Sequence, residues 1–167
     1  MRALIPGVGL ALDPDRAAVG LDQADRLIDA ILKRGAELDC RPLSVIVVEP
    51  GCIVKAFQKE DGASMLRFEM AFGKAYAALA LSRSSKLVRI RNEEKPVFMR
   101  YLMDVSGDKI FAEGGGMQIR DKNGEVIGAV HDTAPAAVAD VRRVRVAGLV
   151  GERVVLAVIR HPLRHRA

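Results

Sequence analysis

The chain has 167 residues, 50% hydrophobic and 28% charged, a balance that suits one globular domain with a real core and excludes intrinsic disorder. Aromatics are only 4%, with no Trp, so stacking on exposed bases has little to build on. The net charge of +5 belongs wholly to residues 134–167, which carry seven Arg, two acids and no Lys.

The body of the domain is therefore neutral. That argues against nucleic acid and leaves a basic tail that is either solvated or drawn to acidic surfaces. No apolar run approaches the ~18 residues of a membrane span, and Met1–Ala11 makes a poor secretory signal. Cys40 and Cys52 form neither a metal-ligand pattern nor a disulfide scaffold. A cytoplasmic setting is expected.

In chain order, residues 1–20 read as an irregular lead-in rich in Pro and Gly. Leu21, Ala24, Leu27, Ile28, Ile31 and Leu32 recur at steps of three and four, predicting a helix with Asp22 as its cap and Pro42 barring continuation. The β-branched run Leu43–Val48, the Pro50-Gly51 turn and Cys52–Gln58 predict a hairpin. Ser64–Leu81 predicts a second helix, apolar almost all round and therefore central. A polar, basic connection over Ser82–Asn92 leads to a third helix around Glu93–Asp104, with Pro96 in its first turn. Three strands follow: Lys109–Ala112, Met117–Asp121 after a triple glycine, and Glu125–Val130 after the turn Lys122-Asn123-Gly124, read as type I′. Tight turns within both strand groups predict an antiparallel sheet with helices packed on it, an α+β fold. In the tail, Pro135–Val141 suits a helix, while Arg143–Val146 and Val154–Ile159 suit strands.

No catalytic constellation, P-loop or dinucleotide fingerprint can be assembled from spacing. Arg67 and Lys74 stand two turns apart on the second helix and share a stripe, where two cations can meet the carboxylates of an anionic ligand or snorkel to solvent. Gly114, Gly115 and Gly116 can form an anion-binding nest or serve turn geometry alone. His131-Asp132 follows the last strand; it can orient an imidazole for metal, haem or proton transfer, or simply be a turn. His161 and His165 lie in the tail. Met65, Met70, Met99, Met103 and Met117 include candidates for a soft haem ligand, but helical spacing makes most of them gap-fillers.

One set of pieces, taken in order, is similar to a known family. Val45-Ile46-Val47-Val48 with Gly51, Asp61-Gly62-Ala63, Ala71-Phe72-Gly73-Lys74-Ala75, Pro96-Val97-Phe98 and the run Gly114–Val130 together resemble the GlcG/HbpS-like haem-binding proteins. A similar domain is appended to some corrinoid adenosyltransferases. With the first helix, the resemblance covers about residues 21–130. It implies a profilin-like antiparallel sheet of about five strands flanked by helices, homo-oligomers built from dimers, and haem or a related tetrapyrrole as ligand. It also implies a place in catabolic gene neighbourhoods for some members.

Two departures stand out. Glu49 replaces the family's usual Asp, and after Val130 the chain reads His131-Asp132-Thr133 and then an Arg/Val-rich tail. A short deletion and a shifted reading frame both account for the second, and no haem-ligating residue of the family maps onto a His or Cys here. The expected division is a lead-in over 1–20, a GlcG/HbpS-like domain over 21–133 and an arginine-rich segment over 134–167. The expected function is a cytoplasmic, homo-oligomeric binding protein for haem or a related flat anionic ligand, with Arg67, Lys74, Gly114, Gly115, Gly116 and His131 as its contacts. The alternative is a small catabolic enzyme acting on an organic acid in the same pocket, with Arg67 or Lys74 holding the carboxylate.

Overall fold

Four antiparallel strands in the order β2-β1-β4-β3 form the sheet: β1 (Ser44–Glu49), β2 (Ile53–Lys59), β3 (Met117–Arg120) and β4 (Val126–Asp132). The computed structural model describes residues 18–121 and 123–132. The lead-in up to residue 17, Lys122, and the tail with its expected helix, strands, His161 and His165 lie outside the described residues. Four helices accompany the sheet: α1 (Leu21–Glu37), α2 (Arg67–Ala80), α3 (Ser85–Glu94) and α4 (Pro96–Val105). The architecture is α+β.

Alternation along β1 separates two cores. Val45 and Val47 face α1, joining Val19, Ala24, Leu27, Ile28, Ile31, Ile119 and Val130. Ile46 and Val48 face α2, joining Ala71, Ala75, Ala78 and Ala129. The register sets β1 against both neighbours, with Ile46 opposite Phe57 on β2 and His131 on β4. A third, smaller cluster joins the back of α2, at Ala77, to Val88, Met99 and Ile110.

The expected α1 stripe is buried at Ala24, Leu27, Ile28 and Ile31, while Leu21 at the helix start is exposed. Its cap is Gly20, not Asp22: the Gly20 N–H donates to Gln23 Oε1 at 3.0 Å, satisfying an entry donor from inside the first turn. The stretch read as a polar connection holds α3, which buries only Ser85 and Val88. Lys109–Ala112 is not a strand of this sheet; the Phe111 N–H donates to the Gly73 carbonyl at 3.1 Å, laying that stretch along α2. Among the described residues the sheet has four strands for this reason, one short of the expected number.

The last hairpin also differs from the type I′ expectation. Asp121 and Glu125 close it, with the Asp121 N–H donating to the Glu125 carbonyl at 2.9 Å and the Gly124 N–H to the Asp121 carbonyl at 3.1 Å. Of its described residues only Gly124 has positive φ, which suits a three-residue loop ending in a left-handed glycine.

Candidate functional site

The site lies where the end of β4 meets α2. β4 runs two residues past Val130, so His131 is a strand residue paired opposite Ile46, not a turn residue beyond the sheet. Its side chain is 1% exposed, on the α2 side. Both ring nitrogens are buried, and the hydrogen bond that the ring makes is a weak one to the Gly115 backbone. In native proteins such groups mark strain, function or a place for water or ligand, because an unsatisfied buried polar atom costs ~1–3 kcal/mol.

Two cations of α2 act on the ring. Lys74 is 6% exposed, with its ammonium 5.3 Å from the centre of the Phe111 ring. Arg67 opens the helix. Burial pushes the His131 pKa down to about 3; Lys74 and Arg67 push the same way, and the Gly115 backbone opposes them. The imidazole is therefore neutral at any ordinary pH, with one N–H to give and one lone pair to receive.

The triple glycine contributes shape more than donors. A Cβ on Gly116 would lie 2.2 Å from the Lys74 carbonyl oxygen, so only glycine lets this turn rest on the α2 backbone. The Gly116 N–H donates to Ser85 Oγ at 2.7 Å and the Gly114 N–H to Glu113 Oε1 at 3.0 Å. Two of the three amides of the expected nest are thus already committed to side chains. Gly115, at φ +120° and exposed, forms the rim whose backbone meets the ring of His131. The structure brings Arg67, Lys74, Gly115, Gly116 and His131 together; Gly114 has open space around it.

A second group on α2 escaped the sequence reading. Phe57 meets Phe68 edge-on at 5.0 Å between centroids; Phe68 stacks on Phe72 at 6.0 Å, and Phe72 leans on Tyr76 at 5.9 Å. The spacing 68, 72, 76 was the available signal. Lys109 sits 6.0 Å from the Tyr76 ring centre and close enough to Cys52 to lower its pKa, although burial wins and raises that thiol to about 11. Cys52 is therefore a poor nucleophile at neutral pH.

Of the methionines considered as haem ligands, Met99 and Met117 are buried in apolar clusters and Met65 is exposed. Among the described residues no group of three His, Cys, Asp or Glu is placed to hold a metal ion. No described helix is long and apolar enough to cross a membrane.

Solved structures share this fold. Klebsiella pneumoniae protein ORFY superposes with a TM-score of 0.64 at 22% identity, covering 72% of this chain and 81% of that one. PduOC in its haem complex gives 0.62 at 20%, covering 71% and 84%. A double mutant of Streptomyces reticuli HbpS gives 0.61 at 19%, covering 71% and 75%. No curated protein matches the chain. The model of the family described as haem-degrading protein HbpS-like matches residues 19–147, running into the arginine-rich segment. By that match, over most of its length, the chain belongs to the HbpS-like family.

Proposed function

We propose that this protein binds haem or a related flat, anionic ligand, with the ligand's carboxylates received between Arg67 and Lys74 and by His131. The observation that carries the reading is the fully buried imidazole, met by the Gly115 backbone and acted on by two cations of α2. The family and a haem complex among proteins of the same fold support the choice of ligand class.

The residues fit the acidic edge of a tetrapyrrole. Cations suit propionates, Gly115 gives a rim without side chains, and Phe111 backs the Lys74 ammonium. Haem, when bound, brings the redox and ligand-binding chemistry of its iron. This chain's own residues hold the carboxylates, exclude water around the α2 backbone and keep a neutral imidazole at hand.

A haemin titration followed in the Soret region tests the reading: a saturable, stoichiometric band is expected. Lys74→Met keeps length and apolar packing while removing the charge, and should weaken binding roughly 10- to 100-fold, the worth of a charged hydrogen bond. Unchanged affinity in a folded variant would remove Lys74 from the site.

His131 also favours a second reading, a small enzyme acting on an organic acid. A neutral imidazole beside two carboxylate-binding cations can move a proton on a substrate they hold. Absence of a Soret band with retained binding of a small organic acid would select this reading.

We also propose that the protein works in the cytoplasm as a homo-oligomer. Val97, Tyr101 and Val105 recur at steps of four along α4 and are all exposed, offering an apolar stripe. This support comes from α4, whereas α2 buries its alanines inside the protomer. Sedimentation giving only an 18.1 kDa species at micromolar concentration would overturn the oligomer.

A further inference from the structure

α3 is anchored to the domain by only two buried residues, Ser85 and Val88. Its outward face is nevertheless not polar throughout. Arg83, Leu87, Ile90, Arg91, Glu94 and Lys95 line one shallow depression, and their steps of three and four lay them along one stripe. Leu87 is 47% exposed there, beside Ile90. The Arg91 guanidinium lies 4.9 Å from the centre of the Phe98 ring, which carries the apolar strip onto α4.

The cations of this stripe differ from those around them. On the neighbouring flank Arg89 pairs with Glu93 at 2.8 Å and approaches Glu113 at 3.8 Å. Among the described residues no ion pair reaches Arg83, Arg91 or Lys95, and the one acid of the depression is Glu94. Residues 83–105 carry six Lys or Arg against three acids, while the rest of residues 18–132 carry eleven against fourteen. The positive field of the domain is thus gathered at this corner.

We propose that the α3 face, with Phe98, docks the protein on an anionic lipid surface. Leu87, Ile90 and Phe98 enter the headgroup layer, and Arg83, Arg91 and Lys95 meet the lipid phosphates and carboxylates. Neither Arg67, Lys74 nor His131 takes part. Charge complementarity gives the sign of the partner, and the shape of the face gives its kind. An acidic protein binds tightly by seating an anchor in a desolvated pocket, and this depression is too shallow to close over one. A lipid surface needs no pocket. It takes apolar side chains that stand out from a helix and cations that stretch to headgroup level. The cytoplasmic leaflet of a membrane has the negative charge required. Each cation near such a surface is worth about fivefold in binding, and salt shortens the reach of that attraction from ~10 Å at 0.1 M to ~3 Å at 1 M. Docking is therefore reversible and sensitive to salt.

Co-sedimentation of the full chain with vesicles tests this. Phosphatidylcholine vesicles with about one third phosphatidylserine should carry the protein down at low salt, and phosphatidylcholine alone should not. Arg91→Gln with Lys95→Gln should weaken binding roughly 25-fold, and Leu87→Ser should weaken it as well. Lys33→Gln with Lys59→Gln removes the same charge from exposed sites elsewhere and should leave binding nearly unchanged. Spin-labelled headgroups should broaden the amide signals of residues 83–95 in the unaltered protein, which decides the matter even if a variant does not fold. Failure to bind the anionic vesicles would overturn the proposal. Equal losses in the two charge variants, or broadening that spares residues 83–95, would overturn it by placing the contact elsewhere. Preference for soluble polyglutamate over the vesicles would overturn it in favour of an acidic protein.

Discussion

The two faces of the sheet are built on different principles. Toward α1 the core is large and aliphatic: Leu27, Ile28 and Ile31 against Val45, Val47, Ile119 and Ile127. Toward α2 it is alanine, at 71, 75 and 78, against Ile46, Val48 and Ala129. Among the described residues the buried polar side chains, Ser44, Lys74, Ser85 and His131, gather on the α2 side: Ser44 by its alternation with Ile46, Lys74 on the helix, Ser85 through its bond to Gly116, and His131 opposite Ile46. Bulky side chains make a dry interface that resists change. Small ones let backbones meet, leaving room beside them for long polar groups. One face stabilises; the other is where binding is proposed.

The largest expected effect falls on the aliphatic face. Leu27→Ala should cost about 2–5 kcal/mol, because a fully buried side chain leaves a cavity. Denaturant unfolding should show that loss while haemin affinity of the remaining folded protein is unchanged. Weaker binding in proportion to lost stability would show that the two faces are not separable.

Acid comes next, and it acts on the α2 face. The folded pKa of His131, about 3, lies below the ordinary histidine value of 6.5, so the unfolded chain binds more protons between those values. The contribution of His131 is fully present above pH 6.5 and is lost as pH falls through about 3, on the order of a few kcal/mol in all. Urea midpoints from pH 7 to pH 4 should therefore fall less steeply in His131→Gln than in the parent. Parallel slopes would mean that His131 is not held neutral.

Gly116→Ala should cost about 1–3 kcal/mol, since its Cβ would be driven into the Lys74 carbonyl. Gly114→Ala, with nothing within 4 Å, should be close to neutral. Equal thermal shifts in the two variants would deny the close approach of the glycine turn to α2.

Much of the aliphatic face was legible because its signals are local. The α1 stripe repeats every three to four residues, and the β1–β2 hairpin is marked by its turn. α3 was not legible, because a helix that buries only Ser85 and Val88 writes no stripe. Lys109–Ala112 looks strand-like, yet its partner is a helix carbonyl at Gly73, which no periodicity can name. Within the site, Arg67 and Lys74 could be aligned by counting helical turns. His131 could be named as a contact but not placed against them, since its place depends on β1 pairing with β4 across most of the domain. Its apolar run ends at Val130, and a histidine followed by an aspartate reads as a turn.

Amide shift mapping with diamagnetic zinc protoporphyrin IX tests the division between a stabilising face and a binding face most directly. Shifts should concentrate at Arg67–Lys74, Gly114–Gly116 and His131, with Leu27–Ile31 of α1 unmoved. The account is contradicted if residues 67–74 and 131 stay still while shifts gather on α1, or at the shallow depression lined by Arg83, Leu87, Ile90, Arg91, Glu94 and Lys95.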